Sequence, residues 1–325
     1  MAEGAVQLRG DQRLPLESLR RWELLRWGMF ICFGMTTFDG EELSRGDKPS
    51  TLYAPDALDV DQWISVARDA GMKYAVLTTK HVAGHCLWPT DHNDYHVGTS
   101  GNKTDVVESF MHACRNRGVL PCLYYCSWDN HNLFGSKTLS MTGWDWAFTT
   151  REYQDFQWRQ IDELMDHYGP VGVWWIDIPR VLPRDYRQKL YAHIAARQPE
   201  ALIILNNGIA GDGSNYPWNE AWPSDGVTIE RCLPNSHTGH KPWREFEGKN
   251  YYMVGEVCDP IGKEWFYVEG DRPRTDAELL GMYLTTVSRG ANLLLDVPPD
   301  RHGVIPQIHV DALLRLRRNL DALKM

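Results

Sequence analysis

The chain has 325 residues, 43% of them apolar and 24% charged, which is enough to bury a full core and suits one α/β barrel filling the whole chain. A formal net charge of −9, without a long Lys/Arg run, argues against nucleic acid or an anionic membrane as partner. No run of about 18 apolar residues predicts a membrane span. The opening MAEGAVQLRGDQRLP lacks the apolar core of a secretory signal, so a cytoplasmic location is expected. Seven cysteines, an odd number without framework spacing, fit a reducing compartment. The 14 tryptophans and 14 tyrosines read first as core. Flat rings also stack on the C–H faces of a pyranose, and composition does not separate the two uses.

A short apolar run, a polar loop and a helix-like segment recur along the chain. WGMFICFGM (27–35) is the first strand candidate. In DVDQWISVARDAG, Trp63, Val66, Ala67 and Ala70 share one helical face and Gly71 supplies the stop. KYAVLTT (73–79) is the second strand. Asp105 and Glu108 stand in capping-box spacing before a helix that Gly118 ends. VLPCLYY (119–125) is strand three, and a helix over 151–168 stops at Gly169-Pro170. VGVWWID (171–177) is strand four, followed by a helix over 184–197 and by ALIILNN (201–207) as strand five. GVTIE (226–230) and YYMVGE (251–256) read as strands six and seven, with long loops in place of clear helices. A helix over 275–289, the strand ANLLLDV (291–297) and a helix over 306–320 complete the count.

Eight alternating units predict a (β/α)8 barrel, with an open doubly wound sheet as its rival. No G-x-G-x-x-G follows the first strand, which weighs against a dinucleotide site. No Ser/Gly-rich linker interrupts the chain, so residues 1–325 are expected to form one catalytic domain with its core at about 22–320. In such a barrel the active site lies at the C-terminal ends of the strands. Those ends carry Lys80 and His81, Tyr125, Asp177, Asn206 and Asn207, Glu230, Glu256 and Asp296. Two convergent carboxyl groups, one ionised and one protonated, are the minimum for retaining glycoside hydrolysis. The plainer readings are that Asp177 caps the next helix or pairs with Arg180 or Arg184, and that Glu230 pairs with Arg231.

Several segments resemble the family 29 α-L-fucosidases. GMFICFG resembles that family's GMFIHWG, and KYAVLTTKHVAGHCLWPT its KYxVLTTKHHDGFxLWxS. LYYCSWD resembles its YYS-x-DW segment, WWID its W-x-D nucleophile strand, and DGVTIER its D-F-x-T-x-E segment. VSRGANLLLDVPPDRHG resembles its closing VS-x-GNLLLN-x-P-P-x-x-x-G. The resemblance implies a retaining exo-glycosidase acting on α-L-fucosides or a closely related α-L-sugar, without metal or cofactor. Its partner would be a carbohydrate, and a homo-oligomer is left open. It makes Asp177 the nucleophile and Glu230 the general acid/base. Glu220, in the pair Asn219-Glu220, and Glu256 stand as the alternative acids. His81 would hold sugar hydroxyls, with Trp88, Tyr125, Trp175 and Cys32 lining the pocket. The family's appended C-terminal β-sandwich has no counterpart among these segments.

Three departures bear on the sugar. Cys32 stands where the family pattern has histidine, Val82 replaces its second histidine and Ala83 the following aspartate. A pocket short of polar partners binds the corresponding hydroxyls less well, by about 1–3 kcal/mol for each missing bond. His85 is the available substitute. Weak hydrolysis of simple aryl fucosides is therefore expected, with a modified deoxy-sugar or an extended glycan reaching the loops at 126–148 and 208–225 as substrate. The cluster His81, His85, Cys86, His92 and His96 lacks standard zinc spacing. A sugar-binding pseudoenzyme and a metal-dependent barrel hydrolase or isomerase are the rival functions.

Overall fold

Strands buried on both faces read as continuous apolar runs, and the core of this chain is assembled from them. The computed structural model describes residues 10–132 and 146–324. Its strands are β1 (Trp27–Ile31), β2 (Tyr74–Lys80), β3 (Leu120–Cys126), β4 (Val173–Asp177), β5 (Leu202–Leu205), β6 (Gly226–Glu230), β7 (Trp243–Phe246), β8 (Lys249–Tyr252), β9 (Val254–Pro260) and β10 (Asn292–Asp296). The helices are α1 (Leu16–Glu23), α2 (Met35–Asp39), α3 (Val60–Ala70), α4 (Val106–Arg117), α5 (Arg151–Tyr168), α6 (Arg184–Arg197), α7 (Asp276–Ser288) and α8 (Gln307–Ala322). Among the described residues no helix is long and apolar enough to cross a membrane.

Eight strands form one sheet in the order β5-β4-β3-β2-β1-β10-β9-β6, and every pairing is parallel. The sheet curls into a nearly closed (β/α)8 barrel. Its seam, between β5 and β6, is joined mostly by side chains rather than by a backbone ladder. Asp225 N–H donates to the Ile203 carbonyl at 2.8 Å, and its carboxylate accepts from Ile203 N–H at 2.9 Å. Leu205 N–H donates to Ser224 Oγ at 3.0 Å. Asn207 and Thr228 exchange two further bonds, each backbone N–H reaching the other's side-chain oxygen at 3.2 and 3.1 Å. The Thr228 hydroxyl also donates to Asn206 Oδ1, so both asparagines that follow β5 do structural work at the seam.

Local signals set the elements. Asp59 caps α3 by accepting from Gln62 N–H, Asp105 caps α4 by accepting from Glu108 N–H, and Thr275 with Glu278 forms a full capping box on α7. Gly71 and Gly118 end their helices at φ of 89° and 66°. The differences from the sequence reading are local. The first strand stops at Ile31, and the chain turns into the short α2. The seventh strand runs Val254–Pro260, because Tyr251 and Tyr252 belong to the hairpin β7–β8. Glu247 and Gly248, both at positive φ, form that two-residue turn. α1 was not expected either: it buries only Leu19 and Trp22, too little to show as a periodic stripe.

Candidate active site

The strand ends open into a cavity of about 680 Å3. Asp177 from β4 and Glu230 from β6 both line it, with Asn206 between them. Asn206 Nδ2 donates to Asp177 Oδ1 at 2.8 Å and to Glu230 Oε2 at 3.1 Å. Those two oxygens are thus within about 6 Å of each other, since one amide nitrogen reaches both. The amide cannot turn round, because its Oδ1 accepts from Gly208 N–H at 2.9 Å and from the Thr228 hydroxyl.

The two carboxyl groups differ in environment. Burial raises Asp177 above the usual aspartate range, opposed by Tyr124 Oη at 2.7 Å, by Asn206 and by Ile178 N–H at 2.8 Å. Burial first, and then the charge of Asp177, push Glu230 up to about 7. It accepts from Asn206, Arg231 draws it down, and the charge of Glu42 pushes it up further. One carboxyl group is supplied with three donors, and the other is predisposed to hold a proton at neutral pH. Both are followed by a non-glycine residue in the left-handed region, Ile178 at φ 46° and Arg231 at φ 52°. Such a conformation costs on the order of 1–3 kcal/mol, and more for a β-branched residue, and it turns the chain sharply away after each carboxylate. Neither plainer reading of the pair holds. Arg180 pairs with Glu220, Arg184 with Glu247, and Arg231 lies over the Trp265 ring and donates to the Lys263 carbonyl.

Aromatic rings form the wall beside Asp177. Tyr124 stacks on Trp175 with centroids 5.4 Å apart, and Phe30 meets them at 5.7 and 5.3 Å. His81 stacks on the other side of Tyr124 at 5.9 Å and packs edge-on to Phe266. Burial lowers His81 to about 3, so its ring is neutral. Beneath this wall Glu256 accepts from Trp175 Nε1 at 3.0 Å and from Tyr74 Oη at 2.7 Å. Gly28 makes room for that tyrosine, since a Cβ there would lie 2.6 Å from its ring. Burial raises Glu256 to about 7.

Asp177, Glu230, His81, Trp175 and Cys32 line the cavity; five other expected residues do not. Tyr125 points away, its hydroxyl on Gln160 and its ring under the Lys80 ammonium, because neighbours on a strand face opposite sides. Tyr124 holds the cavity position instead. Trp88 is fully buried with its indole N–H on Glu163. His85 is buried against Tyr53 and Tyr95 and bonds Ser100, so it does not take over for an absent histidine. Glu256 sits inside the barrel near the start of β9, and Glu220 is half-exposed in its pair with Arg180 at 2.8 Å. Val82 and Ala83 are buried off the cavity, so only Cys32 of the three departures alters its lining.

Asn206, already named among the strand-end residues, lines the cavity; Tyr124, Phe30, Glu42, Arg180 and Trp265 line it without having been singled out. For Tyr124 the signal was the β3 alternation; Glu42 lies in an irregular segment with no periodicity to orient it. Part of the expected loop at 126–148, residues 133–145, lies outside the described residues. Among the described residues no group of three or more His, Cys, Asp or Glu is arranged to hold a metal ion.

The Alpha-L-fucosidase family model matches residues 47–322. Alpha-L-fucosidase 1 of Arabidopsis thaliana is 29% identical over 312 residues, covering 92% of this chain and 59% of its own length. The plasma alpha-L-fucosidase of Homo sapiens is 26% identical over 275 residues, covering 82% of this chain and 54% of its own length. The chain thus spans little more than half the length of these curated relatives. Alpha-L-fucosidase isoenzyme 1 from Paenibacillus thiaminolyticus has a TM-score of 0.76 at 26% identity, over 94% of this chain and 76% of that one. A Ruminococcus gnavus fucosidase solved in complex with fucose, at 20% identity, shares the fold with a TM-score of 0.78 over 97% of this chain and 69% of its own.

Proposed function

The chain belongs to the alpha-L-fucosidase family, and from that premise we propose that it is a retaining exo-glycosidase acting on α-L-fucosides or a closely related α-L-sugar. Residues 1–325 are read as its single catalytic domain, since the eight barrel strands form one sheet. The observation that carries the mechanism is the shared amide of Asn206. The two hydrogens of a planar amide diverge by about 120°, which suits acceptor oxygens about 5 Å apart, the spacing of a retaining pair and too close for an inverting one.

In the first step Asp177 attacks the anomeric carbon and Glu230 gives its proton to the departing glycosidic oxygen. The C–O bond breaks as the Asp177 ester forms. Esterification removes the Asp177 charge, the second largest of the causes that hold Glu230 high, after burial and ahead of the Glu42 charge. Glu230, now more acidic, stays ionised, takes a proton from water, and the water oxygen displaces Asp177. The ring trio Phe30, Tyr124 and Trp175 offers an apolar surface beside the nucleophile. Such a surface accepts the methyl group of a 6-deoxy sugar more readily than a hydroxymethyl group, whose hydroxyl would go unpaired.

The sugar-binding rival is weaker. A pure sugar-binding protein has no need for a proton held near neutrality on one carboxyl group beside a second that is buried and supplied with three donors. Hydrolysis of an aryl α-L-fucoside by the purified protein, abolished in Asp177→Ala with an unchanged circular dichroism spectrum, is the expected result. An Asp177→Ala protein of undiminished activity would sink the assignment.

A further inference from the structure

The cavity continues past the carboxylate pair. Its volume of about 680 Å3 is several times what one pyranose ring fills, and beyond Asp177 it is lined by Arg180, Val181, Ile209 and Tyr216. Arg180 lies in the short turn Pro179–Val181 that follows the left-handed Ile178. Its guanidinium carbon is 3.5 Å from the centre of the Tyr216 ring, a face-on stack. Its Nε lies 2.8 Å from Glu220 Oε2, and no described residue accepts a hydrogen bond from its two Nη nitrogens. The platform is tied to the reaction centre through the backbone. Tyr216 N–H donates to the Gly208 carbonyl at 3.1 Å, and its own carbonyl accepts from Asn207 Nδ2 at 3.0 Å. Asn207 is the neighbour of the amide that joins the two carboxyl groups.

Resting on the fucosidase reading above, we propose that Arg180 and Tyr216 form the subsite for the leaving group, and that this group is a neutral sugar. Glu220 offsets the guanidinium charge, which removes the advantage an acidic leaving group would otherwise have. A flat stack with unspent N–H donors suits a sugar ring, which presents C–H groups on its face and hydroxyls at its edge. The site therefore acts on a fucosyl unit attached to another sugar, with Arg180 and Tyr216 as specificity-determining residues. Binding energy gathered there, away from the reacting bond, is available to align the bond being broken.

The experiment compares kcat/KM on an α-L-fucosyl disaccharide with that on α-L-fucosyl fluoride, whose leaving group is a single atom and cannot reach the platform. In Arg180→Ala and Tyr216→Ala the disaccharide-to-fluoride ratio is expected to fall about tenfold or more, while Tyr216→Phe, which keeps the ring, stays within about twofold of wild type. If the stack merely staples two loops together, both substrates decline in step and the ratio is unchanged, which overturns the proposal. So does a wild-type protein that splits the fluoride but not the disaccharide. A protein that splits neither defeats the fucosidase reading itself, and the subsite with it.

Discussion

Tyr124 donates its phenolic hydroxyl to Asp177 Oδ2 at 2.7 Å while its ring is held between Trp175 and His81. The stack fixes the direction of that hydroxyl, so the donor is preorganised for the carboxylate. Removing it in Tyr124→Phe keeps the stack and leaves Asp177 with one donor fewer. A carboxylate that loses a donor is harder to ionise, so the acidic limb of the kcat/KM profile should move to higher pH. Activity at the optimum should drop roughly tenfold to a hundredfold, the worth of a hydrogen bond to a charged group. An acidic limb that stays in place would mean that Asp177 does not set it.

In the proposed mechanism the basic limb reports on Glu230. Its proton is held up to about 7, so kcat/KM should fall as pH rises through that region. Asn206→Asp removes a donor from both carboxyl groups and puts a third anion between them. Each change favours the protonated forms, so both limbs should shift to higher pH and the maximum should be lower. A basic limb that does not respond would place the acid elsewhere, with Glu220 and Glu256 as the residues to test next.

Glu256 gives a stability prediction. It is about 1% exposed and raised to about 7 from 4.5 by burial, partly offset by Tyr74 and Trp175. The folded state thus binds a proton that the unfolded state releases across that interval. The contribution is fully present below the unfolded pKa and is lost as pH rises through the folded one, on the order of 3 kcal/mol in total. Glu256→Gln lacks this titration. Denaturant unfolding should therefore show wild type leading the variant by more at pH 5 than at pH 7.5. A gap independent of pH would show that Glu256 does not titrate in this range.

The barrel was legible because parallel strands with both faces buried leave unbroken apolar runs, such as Leu202–Leu205, and helices start and stop at Asp105, Gly71 and Gly118. Position at a strand end also pointed to Asp177 and Glu230. What stayed hidden depends on which way a side chain turns. Tyr124 and Tyr125 are adjacent and chemically identical, and only strand alternation in three dimensions separates the cavity face from the helix face. Trp88 and His85 sit in a family-like segment but beneath it, Trp88 Nε1 on Glu163 and His85 Nε2 on Ser100. Asn206 was visible as a strand-end residue, but its bridge was not, because that joins two carboxyl groups 53 residues apart in the chain.

The same geometry divides the three sequence departures. Cys32 lines the cavity, its backbone N–H on Asp296 Oδ1 at 3.0 Å, whereas Val82 is fully buried outside it. Cys32→His should raise kcat/KM on an aryl α-L-fucoside by roughly five- to a hundredfold if it recovers one hydroxyl contact. Val82→His should bring no such gain and should destabilise the protein by about 2 kcal/mol or more, since a larger polar ring replaces a fully buried valine. Equal effects of the two substitutions on activity would contradict this division.

In the proposed mechanism Asp177 forms a covalent bond to the sugar. A 2-deoxy-2-fluoro-α-L-fucosyl fluoride slows both steps but leaves fast enough to load the enzyme, so the ester persists for mass spectrometry of the intact protein and its peptides. A single adduct of one fluorofucosyl unit is expected, carried by the peptide that spans Val173–Asp177 and located on Asp177. An adduct on Glu230 or Glu256, or no adduct from a protein that turns over α-L-fucosyl fluoride, would contradict it.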